Sequence, residues 1–202
     1  GLMDSTGADV VSSNVTSFES LPGGGVGERH LIRKSQPMRD WDFLFEAAGP
    51  GSTYVFSPTA HSALVEVINR LDYSRIGVHD WYVYALARAI GLTWVIGEEP
   101  TLEYRQHGGN VQGANSGSGA RDARMEKLRN GFYRNQFILT ARAAQQVGAF
   151  DAPRRIELAQ ILRELEADSQ WARLRFALRY RQIRRDRLEG IKLAAARFLR
   201  VW

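Results

Sequence analysis

Apolar residues fall in short, distinct runs along the first half of the chain and in helical stripes along the second. Ala8 to Val15 (ADVVSSNV) alternates weakly and is rich in β-branched residues, which predicts a strand. LPGGGVGERH follows with one proline and four glycines, a hairpin or exposed loop; no Lys-Ser/Thr pair stands where a phosphate-cradling loop would need it. Between Asp40 and Ala48, WDFLFEAA puts its apolar groups on one helical side, and Gly49-Pro50-Gly51 stops the predicted helix. STYVFS reads as a short strand, and Pro58 opens a helix whose Ala63, Leu64, Val67, Ile68 and Leu71 keep helical spacing. Asp80 to Ile90 predicts another helix, ended by Gly91 in the left-handed cap position. TWVIGE and TLEYRQ predict two strands separated by Pro100. Alternating strands and helices imply an α/β layer structure.

The pattern changes after Tyr104. GGNVQGANSGSGA is a loop that either links domains or closes over a site. Beyond it Leu, Ala, Arg and Glu dominate, predicting helices over about 121–147, 154–168, 169–187 and 188–200. Two domains are expected, 1–118 and a basic helical region 119–202.

Charge sharpens this division. Residues 1–120 hold 8 Lys/Arg and 13 Asp/Glu, and residues 121–202 hold 19 and 9. A basic tail on an acidic body suits contact with something anionic, while a solvated arginine-rich surface explains it equally well. No nucleic-acid-binding motif accompanies the charge, so no nucleic acid is expected as a partner. With 44% apolar residues the chain can build a core, and without cysteine it has no disulfide framework, cysteine-based zinc site or cysteine nucleophile. No apolar segment reaches spanning length and no leader pattern opens the chain, so a cytoplasmic protein is expected, peripheral on the inner membrane face if the tail meets lipid.

Three motifs carry candidate chemistry. Asp80 precedes an apolar helical run, where a carboxylate ordinarily caps backbone amides. Trp81 beside it suits either a sugar-stacking wall or the core. His107 follows a strand and precedes two glycines, and Gly49-Pro50-Gly51-Ser52 lets backbone approach a substrate or simply makes a tight turn.

GPGSTYVFS, VHDWYVYALARAIG and EYRQHGGNVQG, in this order, resemble the acceptor half of a family 2 glycosyltransferase of the GT-A fold, its rhamnosyltransferase-like branch in particular. The resemblance covers about residues 5–115. It implies a partial GT-A, Rossmann-like sheet-and-helix layer. It also implies inverting, metal-dependent transfer from a nucleotide-sugar donor to a saccharide or glycolipid acceptor, in polysaccharide biosynthesis of the cell envelope.

By that resemblance Asp80 is the catalytic base, Gly51, Ser52, His79 and Trp81 line the acceptor side, and Arg105 approaches phosphate. His107 supplies a ligand to Mn²⁺ or Mg²⁺. His79 stands where many members have an acidic residue. The family's nucleotide-binding first half, with its Asp-x-Asp carboxylates, is absent. The expectation is therefore a C-terminal portion inactive alone, its exposed sheet edge favouring self-association. The alternative is a non-catalytic relic that binds a membrane or a partner.

Overall fold

A computed structural model describes residues 1–21, 25–106 and 118–202. The elements run α1 (Leu2–Thr6), β1 (Val10–Ser20), β2 (Val26–Ile32), β3 (Val55–Phe56), α2 (Pro58–Ile68), α3 (His79–Ala89), β4 (Trp94–Gln106), α4 (Ser118–Arg129), α5 (Phe132–Val147), α6 (Ala152–Glu166), α7 (Gln170–Leu178) and α8 (Arg187–Phe198). The fold is a mixed α/β sheet followed by an all-helical C-terminal region, as expected.

β1 is the centre of the sheet. It pairs parallel with β4 from Val10↔Trp94 to Glu19↔Gln106, antiparallel with β2 over Val15 to Ser20, and antiparallel with β3 at Val10 and Val11. Of the hairpin or exposed loop expected at 21–30, the hairpin is what forms: VGERHLI has no buried side chain, so its sequence shows no alternation, yet β1 provides the antiparallel ladder. The two strands predicted around Pro100 are one continuous β4, whose register slips between Gly97 and Leu102 to accommodate the proline as a bulge.

Much of β1 is buried and polar, which works because its side chains are saturated. Asn14 donates from Nδ2 to the Glu98 carbonyl (2.7 Å) and Ser35 Oγ (3.0 Å), and its Oδ1 accepts from the Lys34 and Ser35 amides at 2.6 and 3.1 Å. All four valences of the amide are used, tying β1 to the β4 bulge and to the segment after β2.

Side-chain caps set four helix starts. Ser57, Asp151, Ser169 and Asp186 each accept from an amide three residues on, at 2.9–3.2 Å. Helix α3 starts at His79 without a side-chain cap. The predicted helix over WDFLFEAA is instead a 3-10 turn, Asp42–Leu44, with Trp41 to Phe45 all buried. Surrounded on every side, it has no need of a one-sided helix.

One apolar cluster runs from Val10 to Trp202. Its aromatic spine joins the regions: Trp81 lies 5.3 Å from Phe137, Phe45 5.0 Å from Phe137 and 5.6 Å from Phe176, and Phe176 5.5 Å from Trp202. Helices α5 and α7 therefore pack on the same core as the site-bearing α3.

Candidate active site

The glycine loop and the start of α3 meet at one carboxylate. Asp80 Oδ2 accepts from the Gly51 amide at 3.0 Å. The cap expected of Asp80 is not made, because its side chain turns away from α3 towards the loop. Gly51 permits this approach: a Cβ there would stand 2.9 Å from Asp80 Oδ1 and 3.1 Å from Cγ. Gly49 has φ +151° and its Cβ would meet the Ser13 carbonyl at 3.3 Å, so the loop hugs the middle of β1.

Tyr54 locks the arrangement from behind. Its hydroxyl lies 2.9 Å from the Gly49 carbonyl and 3.3 Å from the Asp80 carbonyl, bridging loop and helix. Burial, reinforced by the nearby charge of Asp80, pushes this hydroxyl well above the ordinary phenol range, so it stays a donor.

The other carboxylate oxygen has no such partner. Asp80 Oδ1 is enclosed and makes no hydrogen bond; His79 Nε2 stands 2.5 Å away, but outside hydrogen-bonding geometry. The angle decides, because a lone pair off the N–H direction is not satisfied. The His79 side chain is 92% exposed and Asp80 22% exposed, so the pair forms a rim in which a ligand reaches the enclosed oxygen once the exposed imidazole swings aside. An accepting oxygen held on a fixed carboxylate, with a neighbouring imidazole, can take a proton from a hydroxyl placed against it.

The other expected residues fall as follows. Ser52 is exposed on the loop beside Gly51. Trp81 is only 5% exposed and donates from Nε1 to the Phe43 carbonyl at 2.8 Å. Its sugar-wall role is corrected to a core role, because Asp80 faces the loop while the next residue faces inward. Arg105 is exposed near the end of β4, paired with Phe18 and stacked over its ring at 5.8 Å. Phe18 stands five positions along β1 from Ser13, against whose carbonyl Gly49 sits, roughly 15 Å of strand. His107 lies outside the described residues, and among those described no group of three or more His, Cys, Asp or Glu side chains could hold a metal.

Residues 41–47, which lead into the glycine loop, are clamped by the C-terminal region. Arg185 is 2% exposed and donates to Asp42 Oδ2 (3.1 Å), Tyr84 Oη (3.3 Å) and the Ala47 carbonyl (2.6 Å), while its amide reaches Glu46 Oε1 at 2.6 Å. Arg184 donates to the Phe45 carbonyl at 2.9 Å, and the Trp41 amide to that of Gln182 at 3.1 Å. Neither Tyr54 nor this clamp was picked out from the sequence. The visible signals were a charge, Asp42, inside an apolar run and the Arg184-Arg185 pair within a helical pattern.

A concavity of about 1140 Å³ lies between α6 and α7 and shares no residue with the Asp80 rim. Size alone would favour it as the reaction site. The enclosed, unpartnered oxygen of Asp80 is the stronger indication, because it is chemically incomplete.

By sequence comparison the chain is related to a glycosyltransferase. It is 37% identical over 141 residues to the dTDP-rhamnosyl transferase RfbG of Shigella flexneri, a match covering 67% of this chain and 46% of the relative. The chain thus spans about half the length of the relative it matches. No protein-family model matches it, and no solved structure does. Among the described residues no helix is long and apolar enough to cross a membrane.

Proposed function

We propose that this chain forms the acceptor side of an inverting glycosyltransferase of the GT-A type, with Asp80 as catalytic base. The observation that carries this reading is the Asp80 carboxylate. One oxygen is fixed by the Gly51 amide, and the other is enclosed without a hydrogen bond beside exposed His79. In a single displacement Asp80 Oδ1 takes the proton of an acceptor hydroxyl as its oxygen bonds to the anomeric carbon, and the bond from that carbon to the diphosphate breaks. Gly51 and Ser52 bring backbone against the acceptor, and His79 borders it. A dTDP-linked deoxysugar, rhamnose in the first instance, is the donor suggested by the relative's name.

Arg105 is assigned to donor phosphate, with positive charge beyond the far end of the glycine loop. A divalent metal, Mn²⁺ or Mg²⁺, would supply further charge at the diphosphate, with His107 as this chain's ligand. Among the described residues none builds a metal site. Nucleotide and metal carboxylates would come from outside this chain, which is why it should be inactive alone.

The test is turnover with dTDP-rhamnose in a protein that carries this segment together with a donor-binding half. Asp80→Asn keeps an acceptor for the Gly51 amide but cannot take the proton, so turnover should fall about 100- to 10,000-fold with donor affinity nearly unchanged. Near-normal turnover at saturating acceptor would remove Asp80 from the chemistry.

A further inference from the structure

Helix α7 has an outer face that the core does not explain. It buries Ala172, Arg173 and Phe176 and turns Trp171, Leu174, Arg175 and Leu178 to solvent. These four stand at i, i+3, i+4 and i+7, a single stripe along the helix. Trp171 is 71% exposed and Leu178 70%. Scattered exposed apolar residues are ordinary, but a contiguous aromatic and aliphatic stripe marks a contact surface.

An arginine cradle adjoins the stripe. Arg181, just beyond α7, lines the large α6–α7 groove together with Arg175 and Leu178. It also lines a second hollow of about 190 Å³, whose walls are Arg39, Arg181, Arg184 and Arg187. Arg184 gives one nitrogen to the Phe45 carbonyl, and Arg181 gives Nε to the Tyr180 hydroxyl at 2.8 Å. Among the described residues Arg39, Arg175, Arg181 and Arg187 have no carboxylate partner within salt-bridge distance. The groove's own acids are engaged, Glu164 with Arg179 (2.8 Å) and Glu166 with Arg142 (2.7 Å). From residue 170 to 202 there are ten Lys/Arg and only two acids, Asp186 and Glu189. Asp186 caps α8 and Glu189 pairs with Lys192. Four guanidiniums around one small hollow repel each other unless an anion enters, and a phosphate accepts from several of their forks at once.

We propose that this face docks on an anionic phospholipid surface. Trp171, Leu174 and Leu178 enter the headgroup layer, and a lipid phosphate sits among Arg39, Arg181, Arg184 and Arg187. The combination selects this occupant. Trp favours the headgroup depth, aliphatic leucines gain by leaving water, and clustered arginines meet the negative surface. A second copy would bring like-charged cradles together, and nucleic acid would leave Leu174 and Leu178 without a partner. The inference goes beyond the transferase reading and does not rest on it.

Partition of the purified chain onto vesicles tests it without any activity measurement. Trp171 is exposed while Trp41, Trp81, Trp94 and Trp202 are at most 6% exposed, so a blue shift and quenching by brominated lipid report this face. Binding is expected to phosphatidylglycerol-rich vesicles, with little to phosphatidylcholine vesicles and a steep loss in high salt. The triple variant Arg39→Gln, Arg181→Gln, Arg187→Gln should weaken partition on the order of 100-fold, about fivefold per arginine. Leu174→Ala with Leu178→Ala, which keeps the Trp171 reporter, should weaken insertion while near-UV circular dichroism stays native.

Three results would each overturn the proposal: equal indifference to both vesicle types, concentration-dependent dimers that Trp171→Ala dissolves, or binding of inorganic phosphate or an oligonucleotide that matches vesicle binding without shielding Trp171.

Discussion

Two carboxylates, Asp80 in the first turn of helix α3 and Asp42 packed against its last turns, differ in their surroundings. Asp42 has no exposure, and both of its oxygens are engaged: Oδ2 by Arg185 at 3.1 Å and Tyr84 at 3.2 Å, Oδ1 by Arg88 at 3.3 Å. Asp80 has the Gly51 amide on one oxygen and, on the other, no hydrogen bond and only the exposed His79 imidazole against it. A saturated buried charge fixes structure, whereas an incomplete one near the surface awaits a ligand. The contrast separates what the basic C-terminal region does inside the molecule from what the rim does outside it. Arg185 holds residues 41–47, and through them the loop that presents Gly51 to Asp80.

The two ends of the Asp42 pair pull in different directions. Burial pushes the Asp42 carboxyl up against the attraction of Arg185 and Arg88. Burial also works against Arg185, yet Glu46, Tyr84 and Asp42 hold it above its ordinary value. The arginine decides the state, since a guanidinium keeps its proton and three donors reach the carboxylate; the pair is ionised.

Removing one partner should therefore have the largest effect. Arg185→Ala leaves Asp42 buried with too few donors and is expected to cost about 3–5 kcal/mol of stability. Chemical denaturation would show it, and Asp42→Ala combined with Arg185→Ala should cost less than the sum of the singles. Asp80→Ala, by contrast, only strips the Gly51 amide of its partner, about 1–3 kcal/mol. Equal losses at Asp42 and Asp80 would erase the distinction between a structural and a poised carboxylate.

How far the sequence reveals this can be followed residue by residue. Helices α2, α3 and α5 to α8 are legible in apolar spacing, and Gly91 ends α3 with φ +86° as expected of a left-handed cap. The single helix expected over 121–147 is split at Gly131, φ +78°. The helix expected over 169–187 stops at Leu178, because Arg184 and Arg185 must turn inward to residues 41–47 and α8 crosses closely. A Cβ on Gly190 would stand 2.3 Å from the Tyr180 carbonyl. Periodicity reports a face, so it misses segments buried on all sides, such as Trp41 to Phe45, and strands with almost no buried side chain, such as β2. Asp80 and Gly51 could be proposed from motif order. Tyr54 and Arg185 could not, because their roles depend on contacts to residues 26 and 143 positions away in the chain.

A smaller change sharpens the rim half of the contrast. Gly51→Ala places a methyl within contact of Asp80 Oδ1, so the carboxylate must shift while the core is untouched. In a protein carrying this segment with its donor half, turnover should fall about 100-fold, the scale of an ångström's misplacement, with the melting temperature nearly unchanged. If the alanine variant turns over normally, the position of Asp80 against the loop does not matter to the reaction.

The smallest effect tests the saturated half, where Lys34 faces the same ion cluster. Its amide is fixed by Asn14 Oδ1 at 2.6 Å. Burial pushes its ammonium down to about 8; Glu46 and Glu189 pull it up, and Arg185 and Arg184 push it further down. A lysine with a folded pKa below its unfolded value binds its proton more weakly in the native state. Between about pH 8 and about 10.4 the unfolded chain therefore holds more protons, and stability rises with pH across that window. Lys34→Met removes the titrating group, so the wild-type-minus-variant difference should climb by on the order of 1–3 kcal/mol between neutral pH and pH 10. Urea denaturation of both proteins at several pH values measures that difference directly. Parallel curves would mean that the ammonium stays solvated, and that cations are not in surplus around Asp42 and Glu46.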